Sequence, residues 1–106
     1  PFTWRGWIDF GVGAIGDMGA HLMDQSFWAL ELGAPTSITA SSSPWGGTAD
    51  KPATYPLAMM AQFEFPARGA MPPVRMHWYD GGLLPPRPSF LPADAAFQVG
   101  DGGGGL

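Results

Sequence analysis

No cysteine occurs anywhere in the 106 residues. Disulfides, thiolate metal sites and cysteine nucleophiles are therefore excluded, and the redox compartment stays open. Charge is scarce as well. Asp, Glu, Lys and Arg together make up 13% of the chain, about half the share of an ordinary soluble domain. The five Lys and Arg are spread singly, and the formal net charge is −4. Nucleic acid binding needs clustered cations that displace counterions, so this chain does not suit it. The same shortage argues against a polybasic contact with a membrane surface. No apolar run approaches the roughly 20 residues of a membrane span, and no signal peptide is visible. Neither a cytoplasmic nor an exported, periplasmic location is excluded.

What is present is a folding composition. Apolar residues make up 45%, too many for a disordered chain. The length suits one domain, which buries roughly two-thirds of its unfolded surface. A surface this poor in charge suggests that something else covers part of it. The chain opens at Pro1 and closes in "DGGGGL", directly after the strand-like "AAFQV". The expectation is a partial domain, cut at both ends.

Residues 1–14, with Phe2, Trp4, Trp7 and Phe10 among glycines, read as an extended loop. Helical signals begin at Gly16-Asp17, with Asp17 as N-cap or first-turn residue. The helix is expected to run to about Leu32 and to stop at Gly33, with Pro35 beyond. "TSITAS" reads as a short strand, and "SSPWGGTADKPATYP" as a loop rich in turn formers. "LAMMAQFEFPA" alternates in its second half, Gln62 and Glu64 against Phe63 and Phe65. "VRMHWYD" alternates again, Val74, Met76 and Trp78 against Arg75, His77 and Tyr79. Gly81-Gly82 ends that strand. The prolines of "LLPPRPSFLPAD" demand a loop. "AAFQV" starts another strand, and Gly100-Asp101-Gly102 looks like a hairpin turn. No internal repeat is present. A helix followed by strands joined through turns predicts α+β, with a mainly antiparallel or mixed open sheet packed against a helix.

Gly11-Val12-Gly13-Ala14-Ile15-Gly16 fits the G-x-G-x-x-G template of dinucleotide-binding turns, but its context does not. "WRGWIDF" is a poor buried strand, no acid closes the following strand, and Asp17 would repel a pyrophosphate. These glycines read instead as a tight turn that approaches something closely.

On a helix at about 100° per residue, Asp17, His21, Asp24 and Trp28 fall within about 60° of one another. Met18, Leu22, Met23, Ser26, Ala29 and Leu30 occupy the opposite face, with Phe27 at its edge. The first set is an imidazole between two carboxylates in an aromatic setting. A carboxylate one turn away favours the protonated imidazole and can fix its tautomer, which suits a general base. Trp4 and Trp7 offer flat apolar faces that pack on sugar rings. The same spacing also describes an ordinary surface ion pair. A third reading makes His21 and Asp24 metal ligands, completed by His77 or another acid. No compact ligand motif supports it, and a strand residue facing solvent describes His77 better.

The segment "WRGWIDFGVGAIGDMGAHLMDQSFWALELGAPTSITA" resembles the glucose–fructose oxidoreductase/inositol dehydrogenase family, Gfo/Idh/MocA. The resemblance continues through "YPLAMMAQFEFPARGAMPPVRMHWYDGG" and "FQVGDGGGGL". Its most specific part is the Gly-rich turn followed by Asp17-x-Gly19-x-His21-x-x-Asp24. It implies that residues 1–106 are part of the C-terminal substrate domain. An N-terminal Rossmann domain that binds NAD or NADP, and a Lys-Pro motif, would then lie upstream of Pro1. It implies hydride transfer on a sugar or polyol-like alcohol, with His21 as general acid/base. Asp17 would bind or orient substrate, and Asp24 would support it. Homo-oligomers that associate through the sheet are also implied. Two competitors remain at this point: a non-catalytic oligomerisation or ligand-binding module of the same fold, and a metal-dependent isomerase or lyase.

Overall fold

A computed structural model describes residues 2–95. The expected strand at 95–99 and the turn at 100–102 lie outside them, apart from Ala95. The elements run in the order 3-10 helix Phe2–Gly6, α1 Gly13–Ala29, β1 Ser37–Ser42, β2 Gly46–Thr48, β3 Lys51–Thr54, β4 Met59–Phe65 and β5 Val74–Tyr79. This is a small α+β domain with one α-helix and antiparallel sheets.

The larger sheet has the order β1-β4-β5. Its register pairs Ala40 with Ala61 and Ala61 with Trp78, and it pairs Ile38 with Phe63 and Phe63 with Met76. Directly opposed residues share a face. Phe63, Phe65, Val74, Met76 and Trp78 therefore lie on one side, and Gln62, Glu64, Arg75, His77 and Tyr79 on the other. The alternation of both strands predicted this division. On the polar side Arg75 Nε donates to Glu64 Oε1 at 2.7 Å, and His77 stacks on Tyr79.

The core is centred on β4. Ala61, Phe65 and Trp78 are buried, with Phe65 at 2% exposure. Phe27 of α1 meets the Phe65 ring edge-on, centroids 5.4 Å apart. This contact packs the helix against the sheet. Met18, Leu22, Met23 and Ser26 are half-buried on the same side of α1, whereas Ala29 and Leu30 are exposed.

Three expectations are corrected. Residues 1–14 are not simply an extended loop. Phe2–Gly6 form a 3-10 helix, and Trp7 then makes a bridge to Thr54. Gly6 O accepts from Tyr55 N–H at 2.9 Å, and Ile8 N–H donates to Ala53 O at 3.1 Å. Those bonds explain the second correction. "SSPWGGTADKPATYP" contains the hairpin β2–β3, with Thr48 paired to Lys51. Turn-forming residues dominate its composition, and pairing with residues 6–8 gives the hairpin a further partner. A local reading cannot see that partner.

The third correction concerns both helix ends. α1 starts at Gly13, so Asp17 is neither N-cap nor first-turn residue. Val12 is the N-cap and offers no side-chain hydrogen bond. Gly13 has φ +73°, and a Cβ there would come 3.0 Å from Tyr55 Cγ. A Cβ at Gly11 would collide with the Arg5 backbone. The glycines thus serve a tight turn and close approach. At the other end the left-handed residue is Glu31, φ +51°, and not Gly33. Leu32 N–H reaches Phe27 O at 2.9 Å and Glu31 N–H reaches Trp28 O at 3.3 Å. This is the Schellman pattern with Glu in the place that glycine usually takes.

Candidate functional site

α1 presents two different sides because the sheet packs against only one. The i, i+3, i+4 apolar residues turn to the sheet. His21, Asp24 and Trp28 stay exposed, Trp28 at 87%. The face predicted from the spacing is therefore the face that the sheet leaves uncovered.

Asp17 belongs to that face and is half-buried at its edge. Its Oδ2 accepts from Arg5 Nη1 at 2.9 Å. The 3-10 helix is thereby fastened to α1 one turn before His21. Trp4 and Trp7 flank Arg5 in sequence and are about half exposed, at 45% and 50%. Trp4 packs on Phe10 with centroids 4.7 Å apart. No ring contact or hydrogen bond joins either tryptophan to His21 among the described residues.

The expectation that a neighbouring acid fixes the imidazole needs correction. Neither Asp17 nor Asp24 hydrogen-bonds to His21; the Asp17 carboxylate is turned to Arg5 instead. A guanidinium, with five donors in a rigid fork, competes well for a carboxylate. The sequence reading missed Arg5 for lack of a local signal, since it stands twelve residues before its partner. His21 is left accessible, with its ring nitrogens available to a ligand.

His77 stands on β5, on the polar side of the sheet, away from α1. Among the described residues no group of three or more His, Asp or Glu could hold a metal ion. His21, Asp24 and His77 are not brought together. In the Gly11–Gly16 turn the Arg5 backbone fills the space beside Gly11, the Tyr55 ring that beside Gly13 and the Val12 side chain that beside Gly16. No helix among the described residues is long and apolar enough to cross a membrane.

A second feature escaped the sequence reading. A cleft of about 290 Å³ opens between the start of α1 and the sheet, lined by Val12 to Ile15, Trp45, Tyr55, Met59 and Asp80 among others. Trp45 and Tyr55 are ring partners, centroids 5.4 Å apart. Asp80 Oδ1 accepts from Met59 N–H at 2.6 Å, and its Oδ2 accepts from Trp78 Nε1 at 2.8 Å. The available signal was an acid at the end of an alternating strand, just before Gly81-Gly82.

No protein-family model matches the chain, and no curated protein matches it significantly.

Proposed function

We propose that the chain is the substrate-side domain of an NAD(P)-dependent oxidoreductase that acts on a sugar or polyol-like alcohol, with the Gfo/Idh/MocA fold. The observation that carries this reading is that Asp17, His21 and Asp24 of Asp17-x-Gly19-x-His21-x-x-Asp24 share the uncovered face of α1, while Gly19 is buried on the packed side. A solvated helix face is ordinarily a mixture of Lys and Glu. This one has an accessible imidazole, two carboxylates and a tryptophan, and it has no lysine.

A dinucleotide held by a further, Rossmann-type domain would supply the hydride acceptor. The chain's own part is the proton. An imidazole nitrogen of His21 takes the hydroxyl proton of the substrate while a hydride leaves the same carbon and a carbonyl forms. In the reverse direction His21 returns the proton. Asp17, held by Arg5, is a fixed acceptor for a second substrate hydroxyl one turn away. Asp24 supports the far side. Trp4 and Trp7 provide apolar faces near the Arg5 anchor.

The test uses the full-length protein with NAD and NADP and a panel of hexoses and inositols. His21→Ala is expected to lower kcat by about 10²–10⁴-fold without changing the melting temperature, because His21 is exposed and makes no hydrogen bond. Turnover that survives this substitution would reject the reading. Residues 1–106 alone are expected to be inactive.

The second reading is the non-catalytic module, with association through the sheet. Large apolar side chains at the surface favour it, among them Trp28, Leu57 and Phe90, each more than four-fifths exposed. It predicts full oligomer assembly in the His21→Ala protein and no turnover in either form.

A further inference from the structure

We propose that the cleft between the start of α1 and the sheet, walled by Trp45 and Tyr55 and holding Asp80, binds a small neutral ring alcohol or phenol. The site is distinct from the His21 face. Ile15, on the cleft side, lies about 120–180° around the helix from Asp17, His21 and Asp24. The inference therefore does not rest on the proposed reaction.

The volume of about 290 Å³ accommodates one ring with short substituents. The walls are apolar: Val12, Ile15, Pro56, Met59 and the two rings. The Trp45 and Tyr55 planes are tilted by 41°, so a flat ligand can lie against one and meet the edge of the other. The apolar walls argue against a whole sugar, most of whose hydroxyls would be desolvated without partners.

The polar groups are few and defined. Asp80 is the sole charged side chain of the lining. Its oxygens are pinned by two donors, and each keeps a second lone pair. They call for a donor and repel an anion. Ser42 shares a sheet face with Met59, its partner in the register, and no described residue hydrogen-bonds its hydroxyl. The start of α1 adds backbone N–H groups without a side-chain cap. Its partial positive charge disfavours a cation and welcomes an acceptor. A single hydroxyl meets both demands, since it donates to Asp80 and accepts from the N–H groups or from Ser42. A ligand that is only a donor, such as an ammonium, meets one.

The experiment is a ligand-observed NMR titration of the full-length protein with four probes: p-cresol, 4-methylbenzoate, 4-methylbenzylammonium and methyl β-glucoside. p-Cresol is expected to bind with a dissociation constant of about 1 mM or tighter, and the other three at least about tenfold more weakly. Trp45→Ala is expected to weaken p-cresol by about tenfold or more, and Ala40→Phe, which fills the cleft, to abolish binding. Trp45 is half exposed, so its loss leaves the fold intact, which circular dichroism verifies. If Ala40→Phe does not fold, Trp45→Ala alone decides. His21→Ala is expected to bind p-cresol unchanged. Equal or tighter binding of any other probe, failure of p-cresol to bind, or indifference to Trp45→Ala would overturn the proposal.

Discussion

The side chains of the Arg5–Asp17 ion pair are 34% and 40% exposed. Water and salt screen a pair so placed, and its contribution to stability is below about 1 kcal/mol. Its value is geometric, because it fixes a carboxylate beside the exposed imidazole. Asp17→Asn is expected to lower stability by less than about 1 kcal/mol and to lower turnover of the full-length protein by at least about tenfold. Denaturant unfolding and steady-state rates separate the two effects. Unaltered turnover would assign Asp17 to the fold alone. The residue types of this face were legible, because spacing alone decides which side chains share a helix face. Their partners were not. Arg5 reaches Asp17, and Asp80 reaches the Met59 backbone, through paths that only the tertiary structure defines. Trp45 looked like an ordinary residue of a glycine-rich loop.

At the scale of elements, strands with strict alternation were read with their faces, because a period of two leaves no ambiguity once one side is buried. The helix was found but displaced at both ends. Its start depends on Gly13 fitting under the Tyr55 ring, and its stop on Glu31 adopting a conformation that disfavours it. The C-terminal turn is held from outside as well. Arg68 donates through Nε and Nη2 to Leu30 O, at 3.0 and 2.7 Å, and through Nη1 to Pro66 O and Pro72 O. A cation at this end also complements the helix dipole. With the turn so constrained, Glu31 stays left-handed at a cost of about 1–2 kcal/mol. Glu31→Gly removes that cost but gives the unfolded chain more freedom. The net stabilisation expected is about 0.5–1 kcal/mol, read as a higher urea midpoint with an unchanged slope. A lower midpoint would mean that the Glu31 side chain contributes something the backbone does not reveal.

For the whole molecule, the exposed area is 7835 Å², whereas a compact 11.2 kDa monomer exposes about 5,700 Å². The radius of gyration is 15.8 Å, against about 13 Å for a compact chain of this length. A core of three buried apolar side chains among the described residues has little redundancy. Phe65→Ala is expected to cost about 3–5 kcal/mol and to unfold the isolated 106-residue chain at 25 °C, as seen by loss of near-ultraviolet dichroism. Low surface charge, read from composition, and large exposed area, read from structure, are what a domain covered by another surface would show. The isolated chain is expected to bind the dye ANS and to self-associate in sedimentation. The full-length protein is expected to do neither to the same degree. An isolated chain that stays monomeric and dye-free would remove this support for a covering domain or subunit.

The short pairing of residues 6–8 with 53–55 has a mechanical consequence. A tug on the segment before Gly6 reaches the chain at two places at once. One is α1, through the Arg5 guanidinium. The other is the hairpin, through the hydrogen bonds at Gly6 and Ile8. The second path runs directly into Tyr55, one wall of the cleft. A displacement of residues 2–6 would thus reach the cleft wall across a few hydrogen bonds.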